Sequence, residues 1–555
     1  MKLKKPFLIV ICFLIVFAMP ACGSSESPGN ELPVYQLTEQ AFTGLQAIWE
    51  PNVPSSATQE SIDTGQLKIT EHAALLEAGL GVSQSAGRDW IENLELAPGF
   101  SSGSPANRRS LLYIWQAADP QIIDEESPIR FEAYADLYRP HGHLTTQVFE
   151  SHVRSARRIS ELSGRPFDFA LLAGDLTDGS QRNELTWMLD VLNGADIDPD
   201  SGRDDDPVLG PGNDYNDPFR SDGLGVPWYA AIGNHETLYN GGFGTITDEL
   251  RQAAVGKEIF EYDLFPNGFC DGSTPDAEVV TQGKTAADEN RVPQRRQEVL
   301  SMLFEAAGQP AGHGLSSSDV SAGRGYYSAQ PIEGKPIRLI TLDTVNSNPQ
   351  GIGEGARGSL KAEQLQWLQT ELASADAANE LIVVMSHHIP ADFAPASPVS
   401  GDELVEVLAG SQGVILHVAG HGHENEASPF TPLANGEHGY WELMLASTVD
   451  FPMHSRILEI VDEGNGFISV YATNIDHNAP EDSLAHHGRQ LAGAKLAFGT
   501  VTSQGDVAAF WEDDLQFQNM LLRIAIPQAL QTNLASYSWP TRIESEETLQ
   551  NLSGP

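Results

Sequence analysis

Five apolar runs in this chain each end abruptly in residues able to bind a metal or move a proton. Leu111-Leu112-Tyr113-Ile114-Trp115 passes through Gln116-Ala117-Ala118 into Asp119-Pro120-Gln121. Phe169-Ala170-Leu171-Leu172-Ala173 runs into Gly174-Asp175-Leu176-Thr177-Asp178, and Trp228-Tyr229-Ala230-Ala231-Ile232 into Gly233-Asn234-His235-Glu236. Leu381-Ile382-Val383-Val384-Met385 reaches Ser386-His387-His388, and Val414-Ile415-Leu416-His417-Val418-Ala419 reaches Gly420-His421-Gly422-His423. Short β-prone runs without a polar face are strands buried on both sides, as in parallel sheets covered by helices. Parallel strands of one open sheet would deliver all five ends to one crevice. A single such end is usually a cap, a turn or a core histidine. Five in one chain point to a site.

Between the runs lie helical patterns. Residues 145–162 precede the Asp175 strand at βαβ spacing, and residues 360–372 place Leu365, Leu368 and Leu372 on one face. Strands are predicted at 325–328, 337–343, 440–446 and 467–471, and a late helix at 484–496. The class is α/β. Two polar insertions interrupt it, near 193–225 and 241–321. The first carries an Asp-rich run from Asp196. Its Gly202 falls one place late for an EF-hand and the closing Glu is missing, so a solvated acidic loop is expected. The division that follows is a leader segment over 1–22, a tether and accessory segment over 23–108, a main α/β domain over 109–475 and a C-terminal extension over 476–555.

Charge narrows the partners. With 76 acidic against 32 basic side chains the net charge is −44, a field that repels nucleic-acid backbones and anionic lipid surfaces. No nucleic-acid scaffold is expected. Lys2, Lys4 and Lys5 precede an apolar stretch over 7–19, too short to span a bilayer and of the form of an export signal. Cys22, after Ala21 and before Gly23-Ser24-Ser25, resembles a bacterial lipobox. A lipid anchor at Cys22 would hold the protein at a bacterial cell envelope, periplasmic or on the outer surface. Cys12 would leave with the signal, so Cys270 alone remains and no intramolecular disulfide is expected.

The donor candidates are Asp119, Gln121, Asp175, Asn234, His387, His421 and His423. Two carboxylates, two carboxamide oxygens and three imidazoles suit two divalent metal ions of the Mn, Fe or Zn kind. The ordered set Asp119-x-Gln121, Gly174-Asp175-x-x-Asp178, Gly233-Asn234-His235-Glu236, His387-His388 and Gly420-His421-Gly422-His423 resembles the calcineurin-like metallophosphoesterase superfamily. The resemblance covers residues 109–475, with Tyr326-Tyr327-Ser328, Leu342-Asp343 and Gly358-Ser359-Leu360 in agreement.

The resemblance implies layered β-sheets flanked by helices, with the metals at the strand C-terminal ends. It implies hydrolysis of a phosphomonoester or phosphodiester by a metal-bridging hydroxide. Asp175 would be shared between the metals. Asp119, Gln121 and His423 would complete one site, and Asn234, His387 and His421 the other. His235 would act as general acid, its ring held by Asp178, while His388 and Glu236 would support the ligands or face substrate. Most members have His where Gln121 stands, although some subgroups resemble this chain in having Gln. A carboxamide oxygen is a harder, weaker ligand, which favours Mn or Fe over Zn. The alternative on the same fold is a metal-binding lipoprotein that senses or binds rather than turns over. The sequence sets no oligomeric state.

Overall fold

The structure is a computed structural model. It describes residues 32, 41–129, 138–242, 245–262, 277–347, 355–432, 438–502 and 514–552. The expected export segment, Cys22 and Cys270 lie outside the described residues.

In chain order the strands that position the site begin with β1 (Trp90–Leu96), β2 (Arg109–Ala117), β3 (Phe169–Leu172) and β4 (Trp228–Ala230). They continue with β5 (Tyr327–Ala329), β6 (Ile337–Thr341), β7 (Leu381–Met385), β8 (Val414–Ala419), β9 (Glu426–Phe430) and β10 (Tyr440–Met444). The last are β11 (His454–Asp462), β12 (Phe467–Asp476) and β13 (Asn519–Ala525). The helices used below are α1 (Thr145–Ser163), α2 (Arg182–Asn193), α3 (Ala362–Ala377), α4 (Gly401–Ala409) and α5 (Leu484–Thr502).

These strands form two sheets, where one open sheet was expected from the apolar runs. The first has the order β1-β13-β12-β11-β2-β3-β4 and the second β5-β6-β7-β8-β10-β9. Periodicity is silent on this division, because a fully buried strand reads alike in either sheet. Within each sheet the donor strands are parallel neighbours. Ala117 pairs with Leu172 and Leu172 with Ala230, so β2, β3 and β4 end in line. Met385 pairs with Val418, so β7 and β8 end together as well.

Alternation along β7 shows how the layers are held. Leu381, Val383 and Met385 join the large core that also takes in Leu112, Ile114 and Leu171 of the first sheet. Ile382 and Val384 join a second core with Leu365, Leu368 and Leu372 of α3 and Leu404 and Leu408 of α4. Successive residues of a strand point to opposite faces, so β7 bridges the two cores. On α1, Phe149, Val153, Ala156 and Ile159 meet the large core at helical spacing. Gly164 ends that helix in the left-handed region, at φ 67°.

Both ends of the chain finish the first sheet. β13 pairs antiparallel with β12 and parallel with β1, so strands from outside 109–475 complete the domain's own sheet. In the first insertion a short ladder pairs Asp196–Ile197 with Phe219–Arg220, and the acidic stretch is the loop between them. There the carboxylates of Asp206, Asp214 and Asp217 come within 4.8 Å of one another.

Candidate metal centre

The strand ends of both sheets meet at one place. Ligating atoms of Asp119, Asp175 and His387 lie within 4.8 Å of one another, as do those of His387, His388 and His421. His387 is common to both sets, so the donors share one crevice. Asp175 Oδ2 is 3.1 Å from His387 Nε2, and Asn234 Oδ1 is 3.0 Å from the same nitrogen. His423 Nε2 is 3.3 Å from Asp119 Oδ1.

Each of three donors is aimed by a bond at its far side. His387 donates Nδ1–H to the carbonyl of Ala173 at 2.7 Å, which leaves the Nε2 lone pair facing the crevice. Asn234 donates Nδ2–H to the carbonyl of Gly241 at 2.8 Å, turning its oxygen inward. His423 places Nδ1 3.3 Å from Asp450 Oδ2, so its Nε2 faces Asp119.

The backbone is strained where the donors sit. Among the described residues ten non-glycines have positive φ, and Asp119, Gln121, Asp175, His421 and His423 are half of them. Such conformations cost free energy and persist where the surroundings enforce them. Glu236 is one enforcer. Fully buried, its carboxylate accepts the backbone N–H groups of Gly233, Asp175, Leu176 and Thr177 at 2.7–3.0 Å, joining the β3 and β4 loops. Close backbone approach explains two glycines. A Cβ on Gly233 would lie 2.0 Å from Asp175 Oδ1, and one on Gly420 2.5 Å from Asp119 Oδ2.

The electrostatics of the crevice call for positive charge. Burial pushes the Asp175 carboxyl up, but the imidazoles of His387 and His235 hold it well below the carboxylate range. In return, and against the effect of burial, Asp175 pushes His387 up to about 10. Asp119 and Asp450 likewise overcome burial at His423 and push it up to about 9. His421, desolvated by burial and facing His387, falls to about 4. With neutral imidazoles the inward-facing atoms are carboxylate oxygens, a carboxamide oxygen and ring nitrogens, all acceptors. A buried set of acceptors around two carboxylates fits divalent cations.

Gln121 and Asp178 each take a defined set of partners. Gln121 does not present its oxygen to the crevice. Its Oε1 accepts from Arg139 Nη2, and its Nε2 is the atom turned toward Asp175 Oδ2, at 3.4 Å. Swapping the amide would set oxygen against carboxylate and N–H against guanidinium. Asp178 does hold His235, but through its main chain. His235 Nδ1–H donates to the Asp178 carbonyl at 2.7 Å, with the carboxylate at 3.6 Å. His235 Nε2 points toward Asp175 Oδ2, 3.8 Å away. His388 is fully buried, its Nδ1 on Thr344 Oγ1 at 2.9 Å, with burial and then His421 holding its ring well below the usual range.

A family model for calcineurin-like phosphoesterase matches residues 114–425, more than half of the chain. The chain belongs to the calcineurin-like phosphoesterase family. The match takes in the motifs from Asp119 to His423. A manganese-dependent ADP-ribose/CDP-alcohol diphosphatase of Danio rerio is 27% identical over 124 residues, 21% of this chain. That segment spans 36% of the relative's own length. Among solved structures, a dimetal phosphatase from Danio rerio matches at 14% identity and TM-score 0.36, covering 66% of this chain and 100% of that one. PhoD matches at 10% identity and TM-score 0.32, covering 72% and 70%.

Three residues beside the phosphoesterase motifs escape sequence inspection. Arg139 donates from Nη1 to Asp178 Oδ1 at 2.7 Å and from Nε to Asp450 Oδ2 at 2.8 Å. Lys495 of α5 lies 3.4 Å from Asp450 Oδ1. Asp450 left a signal, because residues 440–446 are a sixth apolar run, followed by Ser447-Thr448-Val449-Asp450. Arg139 and Lys495 left none.

Proposed function

We propose that this chain hydrolyses a phosphoester with two divalent cations held in the crevice, Mn in preference to Zn. The observation that carries the reading is the convergence of aimed donors. Asp119, Asp175, Asn234, His387, His421 and His423 meet from five strand ends, and the far atoms of Asn234, His387 and His423 are each tied. Asp175 would be shared; Asp119 and His423 would hold one cation, and Asn234, His387 and His421 the other. We leave Gln121 outside the ligand set, its oxygen being engaged by Arg139.

Bound there, divalent cations supply Lewis acidity to the phosphoryl oxygens and lower the pKa of the attacking water. The chain's own part is position and protons. His235, held at Nδ1 by the Asp178 carbonyl, carries a proton at Nε2 to the leaving oxygen when its ring is cationic. Its ring is partly exposed, 16% by side-chain area, which leaves Nε2 open to a substrate entering from solvent. Glu236 keeps the Asp175 and Asn234 loops in register.

The family and the diphosphatase relative support a substrate among phosphomonoesters, phosphodiesters and nucleoside diphosphate derivatives. Preference for Mn draws support from that relative's stated manganese dependence. We also propose export and lipid anchoring at Cys22.

A screen tests the function. The protein is reconstituted with Mn, Fe or Zn and assayed on alkyl and aryl phosphomonoesters, diesters and a nucleoside diphosphate ester. Turnover of at least one class, lost on chelation and restored by metal, is the expected result. Stoichiometric metal with no turnover of any class favours a binding or sensing role.

A further inference from the structure

Beside the crevice sits a charge cluster assembled from distant parts of the chain. Asp450 follows β10, Arg139 lies in the connection before α1, and Lys495 is on α5. Asp450 and Lys495 fall beyond residue 425, where the family match ends. Asp450 Oδ2 takes Arg139 Nε at 2.8 Å and Nη2 at 2.7 Å, and lies 3.3 Å from His423 Nδ1. Its Oδ1 faces Lys495 Nζ at 3.4 Å and His141 Nε2 at 3.5 Å. Arg139 then reaches Asp178 Oδ1 through Nη1 and Gln121 Oε1 through Nη2.

We propose that Arg139 and Asp450 are positioning residues that tie the proton donor to one metal site, with Lys495 bringing the C-terminal helix into the same network. The proposal rests on the phosphoesterase reading above. One arm runs from Asp450 to His423, fixing the proton on Nδ1 and the lone pair on Nε2. A carboxylate behind a ligating imidazole sets both its orientation and its basicity. The other arm runs from Asp450 through Arg139 to Asp178, whose carbonyl holds His235. The two arms share one carboxylate, so a displacement at either is felt at the other.

Two facts separate positioning from substrate binding. Nε, Nη1 and Nη2 of Arg139 are engaged by Asp450, Asp178 and Gln121, so its fork is already committed to this network. Its charge and that of Lys495 are matched by Asp450 and Asp178, so the cluster adds no net attraction for a phosphate. The geometry also needs Arg. A planar fork meets three acceptors in different directions, which a lysine ammonium on the same stem does not.

The test compares full-length wild type, Asp450→Asn and Arg139→Lys for thermal midpoint, Mn binding by equilibrium dialysis, and kcat on alkyl and aryl phosphates. Asp450→Asn is expected to weaken one of two Mn equivalents by about 10–100-fold and spare the other. Arg139→Lys, which keeps the charge should Asp450→Asn fail to fold, is expected to retain both Mn equivalents. Its rate on alkyl esters should fall about 10–100-fold further than on aryl esters, because Asp178 is released. Variants with the wild-type midpoint, unchanged Mn affinities and an unchanged alkyl-to-aryl ratio would overturn the proposal. Wild-type protein that binds two Mn and turns over nothing would instead sink the phosphoesterase reading, and the Asp450→Asn dialysis would still decide the His423 arm.

Discussion

His235 carries the proposed proton transfer, and its geometry makes a selective prediction. Replacing it with Ala should leave both metals bound, since His387 still faces Asp175 and the other aimed donors are tied elsewhere. The kcat for alkyl esters should drop by about 10²–10⁴-fold, and that for aryl esters by much less, because an aryl oxide leaves without a proton. An equal loss on both classes would reduce His235 to a positioning role. Gln121 is the donor candidate whose oxygen is already engaged. Its oxygen is engaged by Arg139, so Gln121→Ala should keep two Mn equivalents at close to wild-type affinity. Loss of one equivalent in dialysis would mean that the amide turns to ligate. The donor residues were legible in the sequence because each follows an apolar run within a few positions. The Arg139–Asp450 pair was not, since its members stand 311 positions apart and nothing local marks Arg139.

At the scale of elements, buried charge explains both what was missed and what can be measured. β11 escaped sequence inspection because Arg456, Glu459 and Asp462 break its apolar pattern. Glu459 is buried with long-range partners, accepting from Ser110 Oγ at 2.6 Å and from the backbone of Glu544 and Ser545 at 3.0 and 2.6 Å. β1 and β13 were missed for a related reason, as only their pairing with each other and with β12 makes them one sheet. The division into two sheets was equally invisible, whereas α3 and its Leu365, Leu368 and Leu372 face were plain. α1 offers a pH test. Burial pushes Glu150 up to about 7 from 4.5, with Arg154 pulling only partly back. A carboxyl raised in the fold contributes stability that is present below the unfolded value and lost as pH rises through the folded one. Wild type should therefore lose ~3 kcal/mol between pH 4.5 and 7 that Glu150→Gln does not lose. Urea midpoints of the two proteins at pH 4.5 and 8 check this, and a constant difference would contradict it.

Across the whole molecule the net charge is −44, whereas the crevice calls for cations, so on the proposed reading metal charge would offset a repulsive field for an anionic substrate. Salt should accordingly help substrate binding more than it hinders it. No helix among the described residues is long and apolar enough to cross a membrane. If Cys22 carries the anchor, Cys22→Ser should move the protein from the membrane fraction to the soluble one in a bacterial host, and continued membrane association would refute the lipobox. The central claim is that one crevice, built from two sheets around Asp175, holds two cations for phosphoester hydrolysis. Its most direct test is metal content and turnover of wild type against Asp175→Asn, measured side by side after reconstitution with Mn. Wild type should hold two equivalents and hydrolyse a phosphoester, and the variant, lacking the shared carboxylate charge, should lose both metal and activity. Two equivalents and normal turnover in the variant would contradict the account.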